Sequence, residues 1–149
     1  MRRNKLCFVV LMVLIVLTFA SGCKKTERTV WTISTGDKLS IEIDSESGFE
    51  ISKEVPFIIS KDGKDVSTGV FLDKPGYDAY IESIKDDGVT KIVKSDKKEG
   101  IEYTFYSYGE AEFNYLIYIE NSNTAIKLEN KLSKESAEEV FNSLNISLE

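Results

Sequence analysis

The chain contains no histidine. That absence removes Ser-His-Asp and Cys-His catalysis, HExxH zinc chemistry and histidine pH switching together. Cysteine is nearly absent too: Cys7 and Cys23 are the only two, too few for a Cys-rich zinc site. With 2 Pro and 9 Gly in 149 residues, and no internal repeat or low-complexity tract, the composition excludes a disordered chain or a repeat array. Long apolar runs are lacking, with one exception. Leu6 to Ala20 is a 15-residue run interrupted only by Thr18. It falls short of the roughly 20 residues a membrane-spanning helix needs.

What is present is an ordinary globular balance: 42% hydrophobic, 30% charged and 11% aromatic residues. The apolar run follows Arg2, Arg3 and Lys5 and is succeeded by Ala20-Ser21-Gly22 and Cys23. A basic start, a short apolar centre and small residues describe a secretory signal. Ala20 to Cys23 resembles a bacterial lipobox, the cleavage and lipidation signal of lipoproteins. The resemblance implies that residues 1–22 are removed and that Cys23 receives a diacylglyceryl group. Cys7 then leaves with the signal and Cys23 becomes a thioether. The expected mature chain has no thiol nucleophile and no disulfide. Two acyl chains hold a protein stably on a bilayer where one does not. The expected location is the outer face of the bacterial cytoplasmic membrane, or an outer membrane where there are two.

Loss of the signal removes three cations and no acids, so 16 cations face 25 acids in the remainder. Such an excess disfavours nucleic acid, which binds through displaced counterions. Lys24, Lys25 and Arg28 lie beside the expected anchor, within a short polar stalk expected over residues 23–28. Residues 29–149 suffice for one domain.

Alternation of apolar and polar residues predicts strands over much of this domain. Trp31 and Ile33 precede a Gly36-Asp37 turn, and Leu39, Ile41 and Ile43 follow it as a hairpin. Phe49 and Ile51 form a short strand, and a further strand begins near Pro56. Lys61-Asp62-Gly63-Lys64 turns into Val66 to Leu72. Asp73 or Lys74 precedes a helix with Pro75 in its first turn, carrying Tyr77, Tyr80, Ile81 and Ile84 as one apolar stripe, with Gly88 as its expected C-cap. Val89 to Val93 is a strand and Asp96 to Gly100 a charged turn. Ile101 to Tyr106, Ala111 to Glu120 and Ala125 to Glu129 form a meander. Ser133 is the expected N-cap of a closing helix bearing Ala137, Val140, Phe141 and Leu144. The tail 145–149 is a last strand or a packed end. The fold expected is α+β: an antiparallel sheet of about six to eight strands, with a mid-chain helix and a C-terminal helix packed on it.

The helix over Tyr77 to Ile84, the meander from Ile101 to Glu129 and the closing Ser136 to Leu144 together resemble the PsbP-like group of small domains. That resemblance implies an α-β-α sandwich and an accessory role in a secreted or lipid-anchored protein. It carries no catalytic residues with it.

Seven tyrosines are present, and five of them lie between Tyr103 and Tyr118. Tyr106, Tyr108 and Tyr118 share a strand face, so an open sheet face would present them as a binding surface for a sugar or a partner. Helices on both sheet faces would instead bury them. Trp31 belongs either to the core or to the same patch. Lys91, Lys94, Lys97 and Lys98 form a basic cluster, as an edge-strand guard or a seat for an anionic polymer. Asp44, Glu46 and Glu50 around Gly48 have the hard oxygens calcium prefers, without an EF-hand pattern, so a solvated turn is the expectation. No metal and no cofactor are expected.

These readings favour a non-catalytic, membrane-anchored binding or accessory module for a protein partner or an envelope polymer. The competing class is a histidine-free glycan hydrolase using two carboxylates. Glu110, Glu112 and Glu120 are the acids nearest the aromatic meander. A cleft holding two close acids, one of raised pKa, would favour it.

Overall fold

The computed structural model describes residues 25–149. The signal segment and Cys23 lie outside the described residues. Ten strands and two helices follow in chain order: β1 (Thr26–Thr32), β2 (Lys38–Asp44), β3 (Phe49–Ile51), β4 (Phe57–Lys61), β5 (Lys64–Asp73), α1 (Lys74–Asp86), β6 (Thr90–Lys98), β7 (Ile101–Tyr108), β8 (Glu112–Ile119), β9 (Thr124–Asn130), α2 (Lys134–Asn142) and β10 (Leu144–Leu148). The fold is α+β, as expected, but the strands form two sheets. A three-stranded sheet runs β1-β2-β10, and a seven-stranded sheet runs β3-β4-β5-β9-β8-β7-β6. All pairs are antiparallel.

The small sheet joins the two ends of the domain. Ile146 pairs with Ile41 on one side of β2, and Thr29 pairs with Ile41 on the other. Strand β1 starts at Thr26, so Thr26–Arg28 are sheet residues and not stalk. Their polar side chains hid this: Arg28 pairs with Glu42 in the ladder, and its Nε donates to Ser40 Oγ at 2.8 Å.

One core lies between the two sheets. Leu39, Ile41 and Ile43 of β2 pack with Phe105, Tyr115, Ile117, Ile126 and Leu128 of the large sheet. Trp31 belongs to this core at 7% exposure, tilted against Phe57 and edge-on to Phe71, with its indole N–H donating to Lys53 O at 3.0 Å. Helix α2 closes the same side. Ser133 caps it by accepting from Ser136 N, and Phe141 stacks on Tyr115 with centroids 4.1 Å apart. Burial pushes the Tyr115 phenol above its ordinary pKa.

Helix α1 takes the opposite face of the large sheet. Asp73 caps it by accepting from Gly76 N at 2.9 Å, and Pro75 sits in the first turn, where its missing N–H costs nothing. Its stripe buries Ile84 against Tyr106 and Leu116, with Tyr77 and Ile81 packed alongside. The helix closes at Asp87, in extended backbone, and not at Gly88. The Asp87 carboxylate holds the exit by accepting from Val89 N and Thr90 Oγ1, both at 2.9 Å.

Strand β6 runs on to Lys98, through residues expected to turn. The turn is the two-residue Glu99-Gly100, with φ of 46° and 82°. Asp62-Gly63, at 51° and 74°, turns β4 into β5 in the same way. Positive φ at both central residues matches the right-handed twist of the flanking strands. β6 is an edge strand exposed along nearly its whole length, so its sequence carries no buried-face alternation. The first turn also differs: five residues, Ile33 to Asp37, join β1 to β2, closed by Ile33 N donating to Asp37 O at 2.9 Å.

Candidate functional site

The three tyrosines expected to share a face do share one, but α1 crosses it. Tyr106 is only 6% exposed, beneath Ile84. Tyr118 packs against Tyr77 with centroids 5.2 Å apart, and its hydroxyl donates to Ser122 O at 2.8 Å. Tyr108 alone is open, at 52% exposure. Of the two alternatives, burial under a helix holds for Tyr106 and Tyr118, and an open ring for Tyr108 alone of the three. The reason is the length of α1: 13 residues reach about 20 Å, enough to roof Tyr118, Leu116 and Tyr106 and stop before Tyr108.

Where α1 ends, a cleft of about 210 Å³ opens between its last turn and the sheet. Ladder register assembles its floor. Tyr108 pairs with Glu112, and Tyr106 with Asn114, across β7 and β8. Lys127 pairs with Leu116 on β9, and Glu129 follows two positions later on the same face. Tyr80, Ser83 and Asp87 of the helix complete the wall. A buried amide pair stiffens the floor. Asn130 N donates to Asn114 Oδ1 at 2.9 Å, and Asn130 Nδ2 donates to Phe113 O at 3.0 Å.

Three acids and one base border this cleft. Lys127 is 2.5 Å from Glu129, donates to Tyr80 Oη at 3.3 Å and lies 4.6 Å from the Tyr80 ring centroid. Burial opposes its charge, but Glu129 and Tyr80 outweigh this and raise its pKa. Asp87 is held below its ordinary pKa, first by Val89 N–H and then by the Thr90 hydroxyl. Tyr106 is raised, chiefly by burial. Its hydroxyl has no hydrogen-bond partner among the described residues.

The other expected clusters do not converge. Glu112 opens β8, and Glu120 follows its last residue at the far end. Glu120 pairs with Lys97 at 3.1 Å, and Lys97 also meets Glu102. Lys94 pairs with Asp96 at 3.0 Å, so two of the four clustered lysines are already neutralised on the edge strand. Asp44 accepts from Glu46 N at 3.1 Å and from Ser47 Oγ at 3.0 Å, which makes that acidic loop a closed turn. Among the described residues no group of three or more acids is placed to hold a metal ion. No described helix is long and apolar enough to cross a membrane.

Sequence reasoning found Tyr106, Tyr108 and Glu112 but missed Tyr80, Asp87, Lys127 and Glu129 as members of one site. The i, i+2 spacing of Lys127 and Glu129 on a strand was the available signal. No protein-family model matches the chain, and comparison with curated proteins and with solved structures finds no match.

Proposed function

We propose that this chain is a non-catalytic, lipid-anchored domain outside the cytoplasmic membrane that binds a protein partner or an envelope polymer through the cleft at the end of α1. The observation that carries the reading is the Tyr106 hydroxyl. Tyr106 as a residue is only 6% exposed and borders the cleft, and its hydroxyl is unpartnered among the described residues. Thr29 Oγ1 is the one fully buried unpartnered side-chain oxygen among the described residues, so the Tyr106 oxygen is reachable from the cleft, where a bound group can add a hydrogen bond. The exposed Tyr108 ring beside it offers rigid contact area of the kind that dominates binding surfaces.

A glycan hydrolase is the second reading, and it would need two close acids in one cleft. General acid catalysis needs a carboxyl that stays protonated near neutrality, whereas Asp87 is shifted the opposite way. Glu110 lies outside the cleft lining, and Glu120 is engaged by Lys97. The anchor reading rests on Cys23 and the lipobox resemblance.

One experiment on intact cells tests both parts. A photocrosslinking residue replaces Tyr108 in one strain and Leu148 in another, since Leu148 is also exposed, at 38%, but lies on the small sheet. Crosslinks from position 108 and not from 148 are expected, as a discrete band for a protein or a smear for a polymer. Absence of any adduct at 108 overturns the binding assignment. In the same cells Cys23→Ser should move the protein to the soluble fraction, and retention on the membrane overturns the anchor.

A further inference from the structure

The cleft has a definite electrostatic preference. Asp87, Glu112 and Glu129 face one base, Lys127, and that base is already paired with Glu129. Glu112 has no hydrogen bond or ion pair among the described residues. The last turn of α1 is part of the wall, through Ser83, Ile84 and Asp87. A helix C-terminus carries partial negative charge from its unsatisfied carbonyls, which adds to the same sign. Lys127 shows what this environment does to a cation. It is half-buried, sits over the Tyr80 ring, and is held in its charged form more firmly than an ordinary lysine.

We infer that the cleft is a site for an aliphatic ammonium group, seated on the Tyr108 ring with Glu112 as its counter-ion and the Tyr106 hydroxyl as an acceptor. This deepens the binding assignment above and rests on it for its biological meaning, though not for its test. Each element has a chemical reason. An ammonium is attracted to the negative face of an aromatic ring; of the two exposed rings that line the cleft, Tyr80 already carries Lys127, which leaves Tyr108. A carboxylate without a partner supplies a charge-assisted hydrogen bond. An ammonium carries three donors and no acceptor, so it satisfies the Tyr106 oxygen without competing for a proton. A metal ion is disfavoured, because the three acids are not grouped within coordinating reach of one another. The walls contributed by Ile84, Tyr80 and Tyr106 suit an apolar stem behind the charge. The cleft volume, about 210 Å³, lies below the range for drug-sized ligands and matches one side chain or a small amine.

Two sources share this chemistry: a lysine side chain of a peptide, and a free small amine. The test uses the full chain in a neutral maltoside detergent and calorimetric titration. The probes are Nα-acetyl-lysinamide, its uncharged counterpart Nα-acetyl-norleucinamide, and ethanolamine. The lysine probe should bind about tenfold more tightly than the norleucine probe, the worth of one charge-assisted hydrogen bond. Glu112→Gln should remove most of that difference, and Tyr106→Phe about threefold of the affinity. Ethanolamine binding as tightly as the lysine probe assigns the site to free amines, and weaker ethanolamine binding assigns it to a lysine side chain. Either result keeps the inference. Equal binding of the lysine and norleucine probes overturns it, as does no heat with the lysine probe up to its solubility limit. A lysine-selective cleft with no crosslink at position 108 in cells would retain the ammonium site while removing the partner. A crosslink without lysine selectivity would do the reverse.

Discussion

The Phe57 ring lies directly over Gly69. The two are register partners on β4 and β5, and a Cβ built on Gly69 would stand 2.0 Å from the ring. Phe57 has no exposure and is boxed in by Trp31 and Phe71, each with its centroid 5.5 Å away. Glycine at 69 is therefore a packing requirement, with no demand from its backbone angles.

Gly69→Ala should destabilise the domain by about 1–3 kcal/mol, the usual cost of forcing extra volume into a filled core. Denaturant unfolding monitored by Trp31 fluorescence measures this directly, because the indole touches the ring that must move. A change below about 0.5 kcal/mol would mean that Phe57 has another place to go.

Some of this arrangement was legible in the sequence. The alternation in Phe113 to Ile119 marked β8, and the Tyr77, Ile81 and Ile84 stripe marked the buried side of α1. Ser133 marked the start of α2. What pattern could not reveal was long-range pairing: β10 returns to β2, which splits the strands into two sheets. The same limit governed the tyrosines. Tyr106 and Tyr108 are two residues apart and must share a face, so alternation assigns them alike. Their fates differ only because α1 stops between them, and the end of α1 is set by the Asp87 exit. Thr26 to Arg28 lacked apolar residues, so their place in β1 was visible only through their partners on β2. The cleft acids come from a helix end and two different strands, and no local spacing connects them.

Asp37 ties the two sheets together, and its ionisation should be felt in stability. Its carboxylate accepts from Thr124 Oγ1 at 2.7 Å, Asn123 N at 2.9 Å and Thr35 Oγ1 at 3.2 Å. The Thr124 hydrogen bond is the main cause of its lowered pKa. Folded pKa below unfolded pKa means that the stabilisation is complete above the ordinary carboxylate range. It is lost as pH falls through the folded value. Asp37→Asn should lower Tm at pH 7 by about 4 °C, for about 1 kcal/mol of weakened hydrogen bonding. It should also flatten part of the acid loss below about pH 4, leaving the share that comes from Asp87, Asp96 and Glu135, which are lowered too. Parallel Tm-against-pH curves for the two proteins would show that Asp37 is not a sheet-linking charge.

Tyr106 and Tyr108 give the most direct check on where α1 ends. Both are tyrosines of β7, on one face, with ladder partners on either side. Tyr106 packs with Ile84 and Leu116 beneath the helix, so Tyr106→Ala leaves a cavity there. Truncating a buried aromatic of this size costs about 3–5 kcal/mol. Tyr108 makes no such contact, and Tyr108→Ala should change stability by no more than about 0.5 kcal/mol. Tyr106→Phe keeps the ring and removes only a hydroxyl without a protein partner, so it should be close to neutral or slightly stabilising. That last variant separates packing from hydrogen bonding. If Tyr106→Phe proved as damaging as Tyr106→Ala, the hydroxyl would have a partner within the fold, and the cleft would lose the free acceptor on which its binding role depends.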